Sequence, residues 1–351
     1  MSGVFTYSNP RVIHWGPGSV LALADELERL KAHRVALVTT HSLVAEERLV
    51  GVVSGAMGDA EPVVTVVVGQ HAPVAQVEAA IEQAARVQID GVVSFGGGSS
   101  IDSAKMLAVR IADRAGRAER GLPHVALPTT LSAAELAAGA GFTDETGTKA
   151  GMRDPRLLPD AVIYDPELTL ATPMALWLST GIRALDHAVE GFLADGEHPF
   201  SDVMALEAIR RLFDSLPRAT TAPKDVSIRM ENQLAAWFSF TLTAQSAAGL
   251  SHMMGKQIGA RYGIPHGVTS CLLLPHVVRY METRKPQRVA MLEGATGIDP
   301  AGRIHRLIES LGLPQHIASY GIGEAELGSA AAELAGKYPA EDLLEIYMSA
   351  I

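Results

Sequence analysis

Arg183, His187 and Glu190 in the stretch GIRALDHAVEG fall at i, i+4 and i+7, so a helix carries them on one face. Ile182, Leu185, Val189 and Phe192 form a second, apolar stripe on the same helix. Two more histidines stand in helical sequence further on: His252 in GLSHMMGK, with Lys256 one turn later, and His266 after a proline in IPHG. Histidines distant in sequence can converge on one metal ion. Taken singly, each is better read as a hydrogen-bonded structural histidine, and His276 in LLLPHVV belongs to that class. A hard-metal site would add a carboxylate four residues before His187. That position is Arg183.

A second chemistry is written into FGGGSSIDSAK, residues 95–105. A strand runs into three glycines and two serines, then into a helix containing Ala104, Met106 and Leu107. Glycines let a backbone approach a pyrophosphate, Ser99 and Ser100 add donors, and the helix N-terminus supplies the positive end of a dipole. A plain strand–turn–helix joint is the alternative, but three consecutive glycines exceed what a joint requires. The pattern is neither G-x-G-x-x-G nor Walker A.

The elements that must position these groups divide the chain in two. Runs rich in β-branched residues predict strands at Arg34–Thr40, Pro62–Gly69, Gly91–Phe95, His124–Thr130 and Pro159–Pro166, and helical spacing of apolar residues predicts a helix over Val74–Val87. Continuous apolar strands separated by helices mean a parallel sheet covered on both faces. After Pro166 the strand signals give way to Ala- and Leu-rich helical segments. The expected organisation is an α/β dinucleotide-binding domain over 1–165 and an all-helical domain over 166–351.

Composition narrows the function classes. A net charge of −10 argues against nucleic acid and against an anionic membrane surface. One cysteine, Cys271, excludes an intramolecular disulfide and fits a reducing compartment. MSGVFTYSNPRV lacks the pattern of a signal peptide, and no apolar run reaches the roughly 20 residues of a membrane helix. A cytoplasmic location is expected.

Taken together, FGGGSSIDSAK, PTTLSAAE, PDAVIYDPELT, GIRALDHAVEG, GLSHMMGK and GIPHGVTSCLLLPHVVRY resemble the iron-containing alcohol dehydrogenase superfamily in order and spacing over nearly the whole chain. The resemblance implies the dehydroquinate-synthase-like fold, with an active site between an α/β and a helical domain. It implies that Gly97, Gly98 and Ser99 hold a pyrophosphate, with Asp102 in the same motif. Thr129, Thr130, Leu131 and Ser132 would line the adenine and nicotinamide side, and Lys149 would lie near the cofactor. Metal-binding members use Asp and His at i and i+4, then two further histidines. The three histidines correspond to His187, His252 and His266, Arg183 stands at the aspartate position, and Lys256 replaces a further histidine of many members. PTTLSAAE is one residue shorter than P-T-T-A-G-T-G-S-E of the alcohol dehydrogenases, which together with the short chain points to the maleylacetate reductase branch. That branch is thought to work without the metal, with a neutral polar residue usual where Arg183 stands.

The resulting expectation is an NAD(P)H-dependent, metal-free reductase of a small acidic oxo compound, maleylacetate-like, and a homodimer. Exchanging a carboxylate for an arginine changes local charge by two units, the charge of the ion itself. Arg183, His187, His252, Lys256 and His266 would form the catalytic set, stabilising an enolate as hydride adds to a carbon conjugated with a ketone. The competing reading pairs Arg183 with Glu190 or Asp186 on a solvent-facing helix. The runner-up function is an iron- or zinc-dependent alcohol dehydrogenase, with any metal on His187, His252 and His266. An NAD-using lyase would need more metal ligands and phosphate-binding cations than the sequence offers, and a non-catalytic NAD-binding module would leave the histidines without a use. The residue after the second strand, where NAD-selective enzymes carry an acid, is Thr40, flanked by Thr39 and His41, so NADH and NADPH are both expected to serve.

Overall fold

The computed structural model describes residues 10–69, 72–117, 119–145, 149–196, 198–240 and 249–351, with Lys149 described by its backbone alone. The strands are β1 (Val12–Trp15), β2 (Arg34–Thr40), β3 (Glu61–Val68), β4 (Gly91–Gly96), β5 (His124–Pro128), β6 (Gly139–Thr143), β7 (Lys149–Arg153) and β8 (Ala161–Tyr164). Their helical partners are α1 (Leu23–Leu30), α2 (His41–Val44), α3 (Glu47–Gly55), α4 (Val74–Arg86) and α5 (Gly98–Arg114). Six strands form one sheet in the order β1-β8-β5-β4-β2-β3, and every neighbouring pair is parallel.

Alternation along the strands feeds two cores. Val38, Val66 and Val92 face a cluster with Ile81, Leu107 and Val109, while Leu37, Phe95, Val125 and Leu127 face one with Leu23, Leu27 and Val53. Each such side chain, once buried, contributes about 1.5–3 kcal/mol relative to exposure. Both faces are therefore covered, as continuous apolar strands require.

The boundaries moved where chemistry other than hydrophobicity decides. β5 stops at Pro128, and Thr129 and Thr130 leave the sheet. β8 is trimmed to Ala161–Tyr164 inside its flanking prolines, which cannot donate to the ladder. β1 and the antiparallel hairpin β6–β7 were not expected from sequence. β1 is a four-residue edge strand, and GAGFT and KAGMR lack the β-branched run that marks a strand.

Pairing within the sheet places two loops side by side. Gly96, the last residue of β4, is in register with Pro128, the last of β5. The glycine loop and the Thr129–Ser132 loop thus leave adjacent strand ends, where open α/β sheets bind their ligands.

The remaining helices are α6 (Met174–Phe192), α7 (Pro199–Thr221), α8 (Val226–Ser239), α9 (Leu250–Tyr262), α10 (His266–Arg284), α11 (Pro286–Thr296), α12 (Pro300–Ser310), α13 (Glu324–Leu334) and α14 (Ala340–Ser349). The chain forms two compact units that divide after Thr172, a few residues beyond Pro166, and Lys224–Gln233 clusters with the α/β unit. Among the described residues no helix is long and apolar enough to cross a membrane.

In the helical unit α6 is buried nearly all round, with Trp177, Ile182, Leu185, Ala188, Val189 and Phe192 inside. Such a helix survives only when neighbours cover every face, and α7, α9 and α10 all pack on it. Its C-terminal carbonyls are held by cations: Lys285 Nζ donates to the Leu193 carbonyl and the Arg288 guanidinium to that of Phe192. Positive charge at a helix C-terminus is stabilising, and here it fixes the register of the helix that carries Arg183.

Candidate active site

The nucleotide motif folds as a close-fitting cradle. Gly96 has φ +147, and a Cβ there would collide with Ser100 Oγ. Gly97 caps α5, and a Cβ on it would lie 2.8 Å from Thr130 Cγ2. A Cβ on Gly98 would sit 3.4 Å from Ser132 Oγ. The N-terminal turn of α5 therefore faces the Thr130–Ser132 loop at close range, and the positive end of a helix dipole lies there. Thr130 Oγ1 donates to Ser132 Oγ at 3.2 Å.

Other residues expected at the cofactor also make contacts within the α/β unit. Thr129 is buried, its N–H donating to the Gly96 carbonyl at 2.9 Å and its carbonyl accepting from Thr172 Oγ1 at 2.8 Å. Asp102 Oδ2 accepts from the Gly141 N–H at 3.0 Å, and Oδ1 stands 3.6 Å from Lys105 Nζ. Thr40 ends β2, with Oγ1 3.1 Å from Ser42 Oγ. The side chain of Lys149 lies outside the described residues. Sequence reasoning passed over Lys105, whose fully buried ammonium donates to the carbonyls of Ala134, Ala137 and Gly139 at 2.5, 2.8 and 2.8 Å. It also passed over Glu135, buried and accepting from Tyr164 Oη at 2.8 Å. A lysine flanked by Ala104, Met106 and Leu107 was the available signal.

In the helical unit, Arg183 turns inward. Its side chain is 12% exposed, so the solvent-facing alternative does not hold: α9 and α10 cover that face of α6. One terminal nitrogen donates to Ser270 Oγ on α10 at 3.1 Å and lies 3.6 Å from Asp186 Oδ2. The other donates to His252 Nε2 on α9. Ser270 Oγ in turn donates to Asp186 Oδ2 at 2.6 Å, and Ser251 Oγ donates to the same oxygen at 3.0 Å. Glu190 accepts from the Ser251 and His252 backbone N–H groups.

A guanidinium has no acceptor atom, so His252 Nε2 must be the acceptor and its proton is assigned to Nδ1. Nδ1 faces Glu190 Oε2 at 3.3 Å and Asp186 Oδ2 at 3.8 Å. The His187 ring lies 4.9 Å from that of His252 and meets Phe240 edge-on at 4.8 Å. Burial holds the pKa of His187 and of His252 well below the usual imidazole value, and the Arg183 charge pushes the same way, so both rings are neutral at pH 7. Burial pushes Asp186 up to about 7, helped by Glu190, and burial pushes Glu190 up to about 7 as well. Burial lowers Arg183, with Asp186 and Glu190 opposing.

Of the expected catalytic set, Arg183, His252 and His187 come together directly. His266 opens α10, and its carbonyl oxygen lies 3.4 Å from Ser270 Oγ, one turn from the Arg183 contact. Lys256 is exposed on α9. The partners Asp186, Glu190, Ser251 and Ser270 were missed as parts of a site. Only Asp186 and Glu190 had a signal, as candidate ion-pair partners of Arg183.

These donors fit a divalent cation poorly. Asp186, Glu190 and His252 each bring one ligand atom within 4.8 Å of the others, which by itself resembles a cation site. Arg183, however, lies 3.6 Å from the same Asp186 oxygen, and the His252 Nε2 lone pair is committed to it. A dication 4–6 Å from a guanidinium meets repulsion of roughly 6 kcal/mol at an effective dielectric of about 20.

Two family comparisons cover this geometry. Residues 10–166 match the sequence model described as iron-containing alcohol dehydrogenase, and residues 177–341 that of the C-terminal domain of the same family. The maleylacetate reductase of Rhizobium sp. (strain MTP-10005) is 31% identical over 343 residues, 96% of this chain and 92% of the relative. That of Pseudomonas aeruginosa is 32% identical over 334 residues, 93% and 89% of the two chains. The crystal structure of maleylacetate reductase from Agrobacterium tumefaciens superposes with a TM-score of 0.88 at 28% identity, covering 100% of this chain and 99% of that one. With both halves matched and relatives spanning nearly its whole length, the chain belongs to the iron-containing alcohol dehydrogenase family and is an oxidoreductase similar to the maleylacetate reductases.

Proposed function

We propose that this protein uses NADH or NADPH to reduce a small acidic oxo compound of the maleylacetate type, and that Arg183 does the electrostatic work that iron does elsewhere in the family. The supporting observation is the buried Arg183 guanidinium seated on His252 Nε2, Ser270 and Asp186. Iron does not fit this donor set, and no step is routed through it.

The cradle of Gly97, Gly98 and Ser99 suits a pyrophosphate, because a Cβ at Gly97 would fill it. A bound nicotinamide supplies the hydride. Arg183 has five N–H donors, of which one is given to His252 and one to Ser270. The others can hold a substrate carboxylate in a planar fork or the oxygen on which enolate charge develops. His252 and Ser270 fix the plane of that fork from two helices, so little reorganisation accompanies the reaction. Asp186, 3.6 Å away, and Glu190 act electrostatically on the guanidinium. The reading includes a cytoplasmic homodimer, and the single cysteine fits a reducing compartment.

The test is steady-state oxidation of NADH and of NADPH with maleylacetate, using protein treated with EDTA. Turnover that survives the chelator and is lost in Arg183→Ala supports the reading; no oxidation of either cofactor overturns it. The cluster of Asp186, Glu190 and His252 favours one alternative, a metal-dependent alcohol dehydrogenase. Stoichiometric iron or zinc with chelator-sensitive alcohol oxidation would establish it instead.

A further inference from the structure

Lys105 is a buried cation that the reaction does not consume, and its surroundings have a direction. All three carbonyls it binds belong to Ala134–Gly139, the segment that follows Thr129–Ser132. Its fourth neighbour, Asp102 at 3.6 Å, accepts the Gly141 N–H at the far end of that segment. The near end is fixed by Thr129, whose N–H donates to the Gly96 carbonyl and whose carbonyl accepts from Thr172 Oγ1. Between these ties lie a left-handed residue, Ala133 (φ 57), and a short 3-10 turn, Ala134–Leu136. The side chain of Glu135 in that turn is tied to Tyr164 of β8. The loop is therefore fastened at both ends and gripped in the middle by one ammonium carried on α5.

That grip sets a distance. α5 begins at the glycine cradle, and Lys105 lies two turns into it. The loop it holds presents Thr130 and Ser132 to Gly97 and Gly98, with room for no more than a hydrogen on Gly97. An unpaired ammonium is costly to bury, so these oxygens and the lysine hold one another in a single arrangement.

The geometry points to Lys105 as a positioning residue for the dinucleotide: it pre-sets the depth of the Thr130–Ser132 loop over the glycine cradle, so that cofactor meets a formed site. This rests on the dinucleotide reading given above. Lys105→Met removes the grip and keeps the length of the side chain. The expected result is a Kd for NADH, read by fluorescence titration, raised at least tenfold. At saturating cofactor, kcat and the KM for the oxo acid should stay within about threefold of wild type. Ser94→Ala, which deletes an equally buried hydrogen bond to His124 in the same sheet, should leave the Kd unchanged and so separates positioning from general loss of stability.

Wild-type protein supplies the second measurement. Amide hydrogen exchange of residues 130–141 should already be slow without cofactor and change little when NADH is added. A folded Lys105→Met variant with wild-type Kd overturns the inference. So does a segment that exchanges freely in the absence of NADH and becomes protected only with it, a result that stands even where the variant does not fold. Failure of wild-type protein to bind NADH or NADPH would instead overturn the dinucleotide reading.

Discussion

Arg183 donates to Nε2 of His252, and with that bond the one lone pair through which a neutral Nδ1–H imidazole could ligate a metal is occupied. That bond ties α6 to α9 through the guanidinium. Ser270 and Asp186 lock the same guanidinium from α10 and α6, so the cation is a fixed part of the fold.

Removing that cation should cost catalysis as well as stability. Arg183→Ala is expected to lower kcat/KM for maleylacetate by ~2.7–4 kcal/mol, judged by single-donor deletions at oxyanion sites, while the NADH Kd stays put because the cradle belongs to the other unit. Arg183→Lys should recover only part, since an ammonium keeps charge but lacks the planar fork. Near-normal kcat/KM in Arg183→Ala would remove the arginine from the reaction.

Ser270→Ala probes the lock itself. Ser270 accepts from Arg183 and donates to Asp186, so its loss leaves buried polar groups unpaired at a cost of about 1–3 kcal/mol. We expect kcat/KM to fall by about one order of magnitude, less than in Arg183→Ala. An unchanged rate would show that His252 alone orients the guanidinium.

Metal analysis should find substoichiometric iron and zinc in wild-type protein. Arg183→Asp replaces the cation by a third carboxyl beside Asp186 and Glu190, and three clustered carboxyls among neutral imidazoles offer a dication ligands that ionise as it binds. That variant should acquire iron or zinc on dialysis while losing turnover of the oxo acid. Full metal occupancy in wild type, or none in Arg183→Asp after loading, would contradict this account of the cluster.

Cofactor choice follows from the end of β2. Thr40 with His41 after it offers no carboxylate to exclude a 2′-phosphate. Catalytic efficiencies with NADH and NADPH should agree within about tenfold, or about 1.4 kcal/mol. A preference for NADH beyond about a hundredfold, or about 2.7 kcal/mol, would mean that another group supplies the discrimination.

Acid–base behaviour should betray the buried carboxyls. Glu190, pushed up to about 7 by burial, binds its proton more tightly folded than unfolded. Its contribution to stability is fully present below the unfolded carboxyl pKa and is lost as pH rises through the folded value. Wild type should lose more stability than Glu190→Gln between about pH 5 and about pH 8, read as the urea midpoint. Equal slopes would place the Glu190 pKa in the ordinary range. Asp186, raised for the same reason, remains in both proteins.

What the sequence revealed depended on how local the cause was. β2, β4 and β5 were legible because buried parallel strands read as unbroken apolar runs, whereas β1 and the hairpin β6–β7 owe their pairing to neighbours and carry no such run. Arg183 was legible as an anomaly, because helical spacing put it where a carboxylate belonged. Its partner Ser270 was not, being 87 residues away with nothing in SCLLL to single it out. Lys105 stayed hidden for a related reason: its partners are backbone carbonyls, and a backbone acceptor leaves no letter in a sequence.

That last property bears on what the clamp demands of the loop. Every residue type brings a carbonyl oxygen, so a loop gripped by Lys105 through Ala134, Ala137 and Gly139 is held without regard to the side chains it carries. The grip on the segment thus makes no demand on those three side chains, and the only side chain it needs is the lysine on α5. A clamp that reads only backbone divides the labour: the helix sets where the loop sits, and the side chains of the loop set what it presents.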